Sequence, residues 1–160
     1  MCIRDRNKKK PDPVIKSAAD KTLKYLTNTL FNEKIGSFLS FQQADTSYYY
    51  LKKSRRDKVL KPPVIEKIFT DDLAITLSYL LKTLEIKGNK LLEDKILTSL
   101  HFLSEMIIKN ETILHYYSIP EGEWRALSSP VNYALVVRLF QQAFEKYNFC
   151  LLYTSDAADE

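Results

Sequence analysis

Two runs of leucine constrain this chain more than any other feature. Leu73, Leu77, Leu80, Leu81 and Leu84 recur at helical steps, and after Gly88 the spacing resumes at Leu92, Ile96, Leu100, Leu103 and Ile107. Such spacing puts each set on one side of a helix, whereas a strand would alternate with period two. Thr70 is placed to cap the first helix, and Asp71 and Asp72 fall in a first turn where the helix dipole favours negative charge. Gly88 is expected to end that helix and Asn89 to cap the next. Two amphipathic helices joined by about four residues fold back into an antiparallel hairpin, the unit of helical bundles and solenoids.

The flanking segments add further helices. Ile15, Ala18, Ala19, Leu23, Leu26 and Leu30 share a face, which predicts a helix from about Val14 to Phe31. Residues 35–41 (IGSFLSF) alternate loosely behind a glycine and are the one strand or hairpin candidate of any strength. Residues 45–60 (DTSYYYLKKSRRDKVL) join three tyrosines to a run of positive charge, closed by Pro62-Pro63 because a residue before proline is pushed out of helical geometry. Thr112–Tyr117 reads as a short helical turn, and Ser118–Ser128, with Pro120, Gly122 and Trp124, as loop. Ser129 as cap and Pro130 at the first helical position open a last helix. Its stripe of Tyr133, Val137, Phe140, Phe144 and Tyr147 is broadened by Ala134, Leu135, Leu139 and Ala143, so it is expected to be mostly buried. The predicted class is mainly α, a helical bundle or scaffold.

Both ends read as DNA rather than as protein. Met1–Arg6 (MCIRDR) is what ATG TGT ATA AGA GAC AG encodes, and the reverse complement of that string, read in another frame, gives Cys150–Thr154. The two are inverted copies of one tag and look like a transposase-type sequencing adapter, continued through Ser155–Glu160. Residues 1–6 and 150–160 are therefore expected to be adapter-derived, and Asn7–Phe149 to be an interior piece of a larger protein. Both cysteines, Cys2 and Cys150, fall in the tags, which leaves no disulfide, thiolate or cysteine-ligated zinc to expect between them. Setting aside Arg4, Arg6, Asp5, Asp156, Asp159 and Glu160 leaves 22 basic against 16 acidic residues, a mild +6. With 45% hydrophobic and 12% aromatic residues the chain can bury a core and is not expected to be disordered. No apolar run approaches the roughly 18 residues that span a bilayer, and no membrane partner is expected.

Chemistry is sparse. His101 and His115 stand 14 residues apart without cysteine or a carboxylate pair at ligand spacing, so structural histidines are expected rather than zinc ligands. The pairs Asp71-Asp72 and Glu93-Asp94 lie in first helical turns, where dipole and capping energies of about 0.3 to 1 kcal/mol explain them without a general acid or base. Asn110-Glu111-Thr112 fits the glycosylation sequon, which matters only in a secreted chain. No nucleophile elbow, phosphate loop or H-E-x-x-H pattern occurs. No catalytic, cofactor-binding or metal-binding residue is assigned, and no cofactor is expected.

Lys52, Lys53, Arg55, Arg56, Lys58 and Lys61, beside Tyr48, Tyr49 and Tyr50, leave two readings open. They can grip phosphates while the rings stack on bases. They can equally form a solvated charged helix face anchored by tyrosine, which is the preferred reading because surface charge is ordinary.

The order of these features resembles a family. A helix containing VIKSAA, the segment IGSFLSF, the triplet in DTSYYY, the stretch KKSRRDKVLK, Pro62-Pro63 and a helix leading to ILTSLHFLSEMI are similar to the middle of the UBR-box ubiquitin ligases, the N-recognins of the N-degron pathway. Ser129-Pro130 with Ala134-Leu135 is similar to the short serine-proline helix start that follows there. The resemblance covers most of Val14–Phe144 and rests on order and spacing. It implies a partial winged-helix-like region with a small β element near 35–41 and a charged helix in residues 7–61, and a helical scaffold in 62–149. It further implies a RING-type ubiquitin transferase as parent, at work in cytoplasm or nucleus. Partners would be the rest of the parent chain and, through other domains, a ubiquitin-conjugating enzyme and substrate. Nothing in the sequence matches the zinc-binding UBR box or the RING, so neither degron binding nor ubiquitin transfer falls to any residue here. A helical-repeat interaction module and nucleic-acid binding through residues 52–61 are the alternatives.

Overall fold

A computed structural model describes residues 12–86 and 88–147. Both inverted tags lie outside them. Helix α1 (Pro13–Tyr25) runs into a π-helical turn at Leu26–Leu30, and β1 (Phe31–Asn32) and β2 (Ser37–Phe38) follow as a hairpin. Two one-turn helices, α2 (Thr46–Tyr50) and α3 (Lys53–Arg56), lead to β3 (Lys67–Phe69), α4 (Thr70–Ile86) and α5 (Lys90–Asn110). Strands β4 (Leu114–Ser118) and β5 (Glu123–Leu127) and helix α6 (Pro130–Tyr147) complete the order. The class is mainly α with two small antiparallel sheets, β1-β2 and β3-β4-β5.

Helix α4 is the centre. It packs on α5, on α6 and on β3 and β4. Leu73, Leu77, Leu80, Leu81 and Leu84 are all buried, as their spacing predicts, and Leu92, Ile96, Leu100 and Leu103 of α5 meet them. Phe38 of β2, Ile68 of β3 and Val136, Leu139 and Phe140 of α6 enter the same core, so the described residues on either side of position 61 share one interior.

The helix ends follow local chemistry, in part differently from expectation. The Asn89 side chain accepts the Leu92 N–H at 3.2 Å and caps α5 as predicted. Thr70 does not cap α4: it is the first helical residue, and its hydroxyl donates to the Leu114 carbonyl at 2.5 Å, tying the helix start to β4. Gly88 lies outside the left-handed region, and the described part of α4 runs to Ile86. Ser129 precedes α6 as expected, but its hydroxyl donates to Asn132 Oδ1 at 3.1 Å while its carbonyl accepts the Asn132 N–H at 3.0 Å.

Three strands were not anticipated. Residues 112–117, expected to be a helical turn, carry β4, and the expected loop of 118–128 contains β5. Tyr117 pairs with Ile68 and Trp124, and that rung faces Phe102 of α5, whose ring lies 5.2 Å from both Tyr117 and Trp124. The next rung turns Phe69 and Tyr116, 5.6 Å apart, to the other face. This period of two is the strand signature that one turn of aromatic residues concealed. Gly122, at φ +69, makes the turn between β4 and β5, and its N–H reaches the Ser118 carbonyl at 2.9 Å.

The predicted hairpin at 35–41 exists but begins earlier, with Phe31 opposite Phe38. Asn32 Oδ1 accepts the N–H groups of Lys34 and Ile35, and Gly36 takes φ +72. The hairpin docks on α5 through polar contacts: Ser99 donates to the Gly36 carbonyl at 3.3 Å, and Lys95 forms an ion pair with Glu33. The Lys95 ammonium also lies 3.7 Å from the Phe31 ring centroid, so this nearly buried charge has an anion and a π face.

Two apolar faces stay open. In α1 no residue is buried and Ile15 is 64% exposed, so the predicted stripe meets the core only from Leu23 onward. In α6 the buried residues are Asn132, Val136, Leu139, Phe140 and Ala143, while Val137 and Phe144 are more than half exposed. The expectation of a mostly buried helix is corrected: α6 buries one side against α4, and of the predicted stripe only Phe140 is buried. The phase is fixed by Asn132, whose amide nitrogen donates to Ser128 at 2.9 Å and faces His115 Nδ1 at 3.2 Å. Burying that amide satisfied keeps Val136 inward one turn later.

Leu100→Ala or Leu77→Ala is expected to lower unfolding free energy by about 2 to 5 kcal/mol, and exposed His101→Ala by no more than about 0.5, in chemical denaturation. At the hairpin contact Glu33→Gln removes the anion but keeps an acceptor, and because the Glu33 side chain is largely exposed it should cost about 1 kcal/mol or less. Lys95→Met, which keeps the stem and removes the charge, should be neutral or stabilising in the same assay.

Candidate functional site

Residues 43–61 form a loop closed at its neck by main-chain pairing. Gln42 bridges Val64 in antiparallel fashion, the Gln43 N–H donates to the Pro63 carbonyl at 2.9 Å, and the Ile65 N–H donates to the Phe41 carbonyl at 3.0 Å. The Gln42 amide nitrogen donates to Pro62 O at 2.5 Å, and the Tyr25 hydroxyl donates to Gln42 Oε1 at 3.2 Å. Beyond this neck nothing is buried: Tyr48, Leu51 and Arg56 are half-buried and every other residue of the loop is exposed.

Inside the loop the expected charged helix is broken in two. Asp45 caps α2, accepting the Tyr48 N–H at 3.1 Å and the Ser47 hydroxyl at 2.6 Å, bonds that hold its carboxyl below the usual range, the Ser47 bond most. Leu51 and Lys52 then take extended geometry and α3 restarts for a single turn. Short helices of this kind leave backbone groups open to water, and the neck holds together the two ends of the loop that carries them. Lys52, Lys53, Arg55, Arg56, Lys58 and Lys61 are all here, and none forms an ion pair with another described residue. The Tyr48 and Tyr49 rings meet edge to face at 5.2 Å, whereas Tyr50 is 87% and Leu60 95% exposed. The tyrosines therefore anchor the loop only partly. Sequence periodicity could not reveal the neck, because Gln42 and Val64 are single residues far apart in the chain.

The other titratable residues are dispersed. His101 lies exposed on α5, and His115 is half-buried on β4 between the Phe69 ring and Asn132. Among the described residues no three His, Cys, Asp or Glu side chains gather closely enough to hold a metal ion. Asn110 donates its side-chain N–H to the Met106 carbonyl at 2.7 Å at the end of α5. A groove of about 790 Å³ separates α1 from α4, lined by Ile15, Ala19, Leu23, Leu26, Ile75 and Tyr79 among others. Its walls are mainly apolar, with Lys16, Asp20, Thr22, Thr76 and Thr83 among them, which suits contact rather than reaction.

The Asp71-Asp72 pair differs from a simple dipole effect. Burial raises the Asp72 carboxyl above its usual value, a hydrogen bond from Ser40 opposes that, and Asp71 adds to it. A raised carboxyl pKa means that the folded chain binds the proton more tightly than the unfolded chain. Charged Asp72 therefore costs stability at neutral pH, and the cost fades as pH falls through the folded value. Unfolding of the parent chain and Asp72→Asn, compared at neutral and mildly acidic pH, should show the parent gaining on the variant toward acid.

Compared with known proteins, the chain matches no family model, no curated protein and no solved structure.

Proposed function

We propose that this chain is a non-catalytic helical scaffold segment of a large ubiquitin ligase similar to the N-degron-recognising UBR-box family. The observation that carries the scaffold part is the contrast between packing and chemistry. Leucine faces of α4 and α5 and the inner side of α6 converge on one core, while the histidines and carboxylates stand apart in positions explained by caps, hydrogen bonds and burial. The ligase part rests on the order of motifs. The string ILTSLHFLSEMI lies within α5 and supplies buried Leu100, Leu103 and Met106, and IGSFLSF supplies strand β2 of the small hairpin. Toward a winged-helix element, residues 14–61 contribute one helix and that hairpin, with the basic segment as a neck-closed loop instead of a continuous helix.

In this reading the segment holds degron-binding and ubiquitin-transferring domains at a fixed separation in the cytoplasm or nucleus. Its own contribution is rigidity, since each leucine fully buried on α4 or α5 contributes about 1.5 to 3 kcal/mol. A helical-repeat module gains support from the α4-α5 hairpin alone. The β3-β4-β5 sheet, set between α4, α5 and α6, gives successive helical pairs unlike surroundings and favours a single scaffold.

The complete reading frame tests the proposal. It is expected to encode a cysteine- and histidine-rich UBR box upstream and a RING downstream, and a frame with neither removes the ligase reading. Joined to a RING, Leu100→Ala should reduce ubiquitin transfer only in proportion to lost folded protein, measured by thermal unfolding beside an autoubiquitination assay.

A further inference from the structure

The loop of residues 43–61 buries no residue fully, yet it holds most of the net charge between the terminal tags. Its six basic and two acidic residues sum to +4, against +6 for the whole stretch between the terminal tags, so the loop carries most of the excess. An ordinary charged surface would spread that excess, whereas here one loop carries most of it, on cations with no ion-pair partner among the described residues. Three apolar side chains accompany them: Tyr50 is 87%, Leu60 95% and Val59 45% exposed. Leaving those in water is unfavourable and has no return inside the fold.

Charge alone would suit any polyanion, so shape and the apolar residues decide. Single-stranded nucleic acid is held in charged grooves with stacking platforms, and peptides bind in grooves or along sheet edges. The loop offers neither: it is a projection on a closed neck, and none of its side chains lines the groove between α1 and α4. A flat anionic surface with an apolar layer beneath fits both parts. Lipid headgroups would meet the lysines and arginines, while Tyr50, Val59 and Leu60 enter the interfacial layer, as apolar and basic residues do together in peripheral membrane segments. We propose that residues 43–61 form a peripheral docking loop for anionic lipid bilayers. Such docking needs no spanning helix, and among the described residues no helix is long and apolar enough to cross a membrane. The proposal rests on the loop and is independent of the ligase reading.

Cosedimentation of the full chain with phosphatidylcholine vesicles, with and without phosphatidylserine, tests it. Binding is expected only with phosphatidylserine and should weaken as salt rises. Replacing Arg55 and Lys58, both exposed, by glutamine removes two surface cations worth about 1 kcal/mol each, so affinity should fall about 30-fold. Leu60→Ser should weaken binding at every salt concentration. Because the substituted residues are exposed, all variants should melt with the parent chain, which separates loss of docking from loss of fold. Equal binding to neutral vesicles, or none to either, overturns the proposal. So does tighter binding to single-stranded RNA with Leu60→Ser without effect on the vesicles, a result that would identify the loop as a nucleic-acid contact instead.

Discussion

Everything in this fold leans on the burial of α4 from several directions at once. An amphipathic surface helix needs one apolar stripe, but α4 meets α5, α6, β3 and β4, and Leu77 and Ala74 between them have no solvent exposure at all. That arrangement explains the near absence of glycine and charge from its inner positions. Of the buried polar side chains, Thr70, Ser99 and Asn132 each have a partner, whereas the Ser37 hydroxyl has none. Close packing transmits any loss of volume, so a cavity beside α4 would be felt by every layer that touches it.

The sequence made some elements legible and hid others for physical reasons. Helices α4 and α5 could be read directly because their leucines keep helical phase for several turns and Asn89 caps locally. The leucines and Ile96 of both stripes are buried, while Ile107 is half-buried and Met106 takes an inward place beside it. The β3-β4-β5 sheet was hidden because β3 is three residues long and its partner follows only after both long helices, so the pairing has no local signature. Tyr116 and Tyr117 suit either one helical turn or a strand, although the Pro120 to Gly122 turn between aromatic pairs was a hairpin signal. In α6 the apolar residues surround the helix, and periodicity alone could not choose a face. The choice came from Asn132, a polar residue buried because three neighbouring side chains satisfy it.

The same division applies to the candidate site. The basic run and the tyrosine triplet stand out in the sequence, and their exposure follows from their chemistry. What composition could not supply was the neck at Gln42 and Val64, which turns a charged stretch into a discrete projection. Nor could it show that α2 and α3 would be separate turns: helix propensity through Lys52 to Arg56 is good, but a four-residue helix with no side-chain cap and no buried face has nothing to extend it.

The hydrogen bond from Thr70 to the Leu114 carbonyl joins positions 44 residues apart. Strand β3 cannot find β4 until that whole stretch has been gathered, and closing so long an excursion is entropically slow. The intervening stretch is the α4-α5 hairpin, whose contacts are local and whose closure brings the two strands within reach. Assembly should therefore proceed with the helical pair first and the three-stranded sheet sealing afterwards, a sequence in time imposed by chain connectivity.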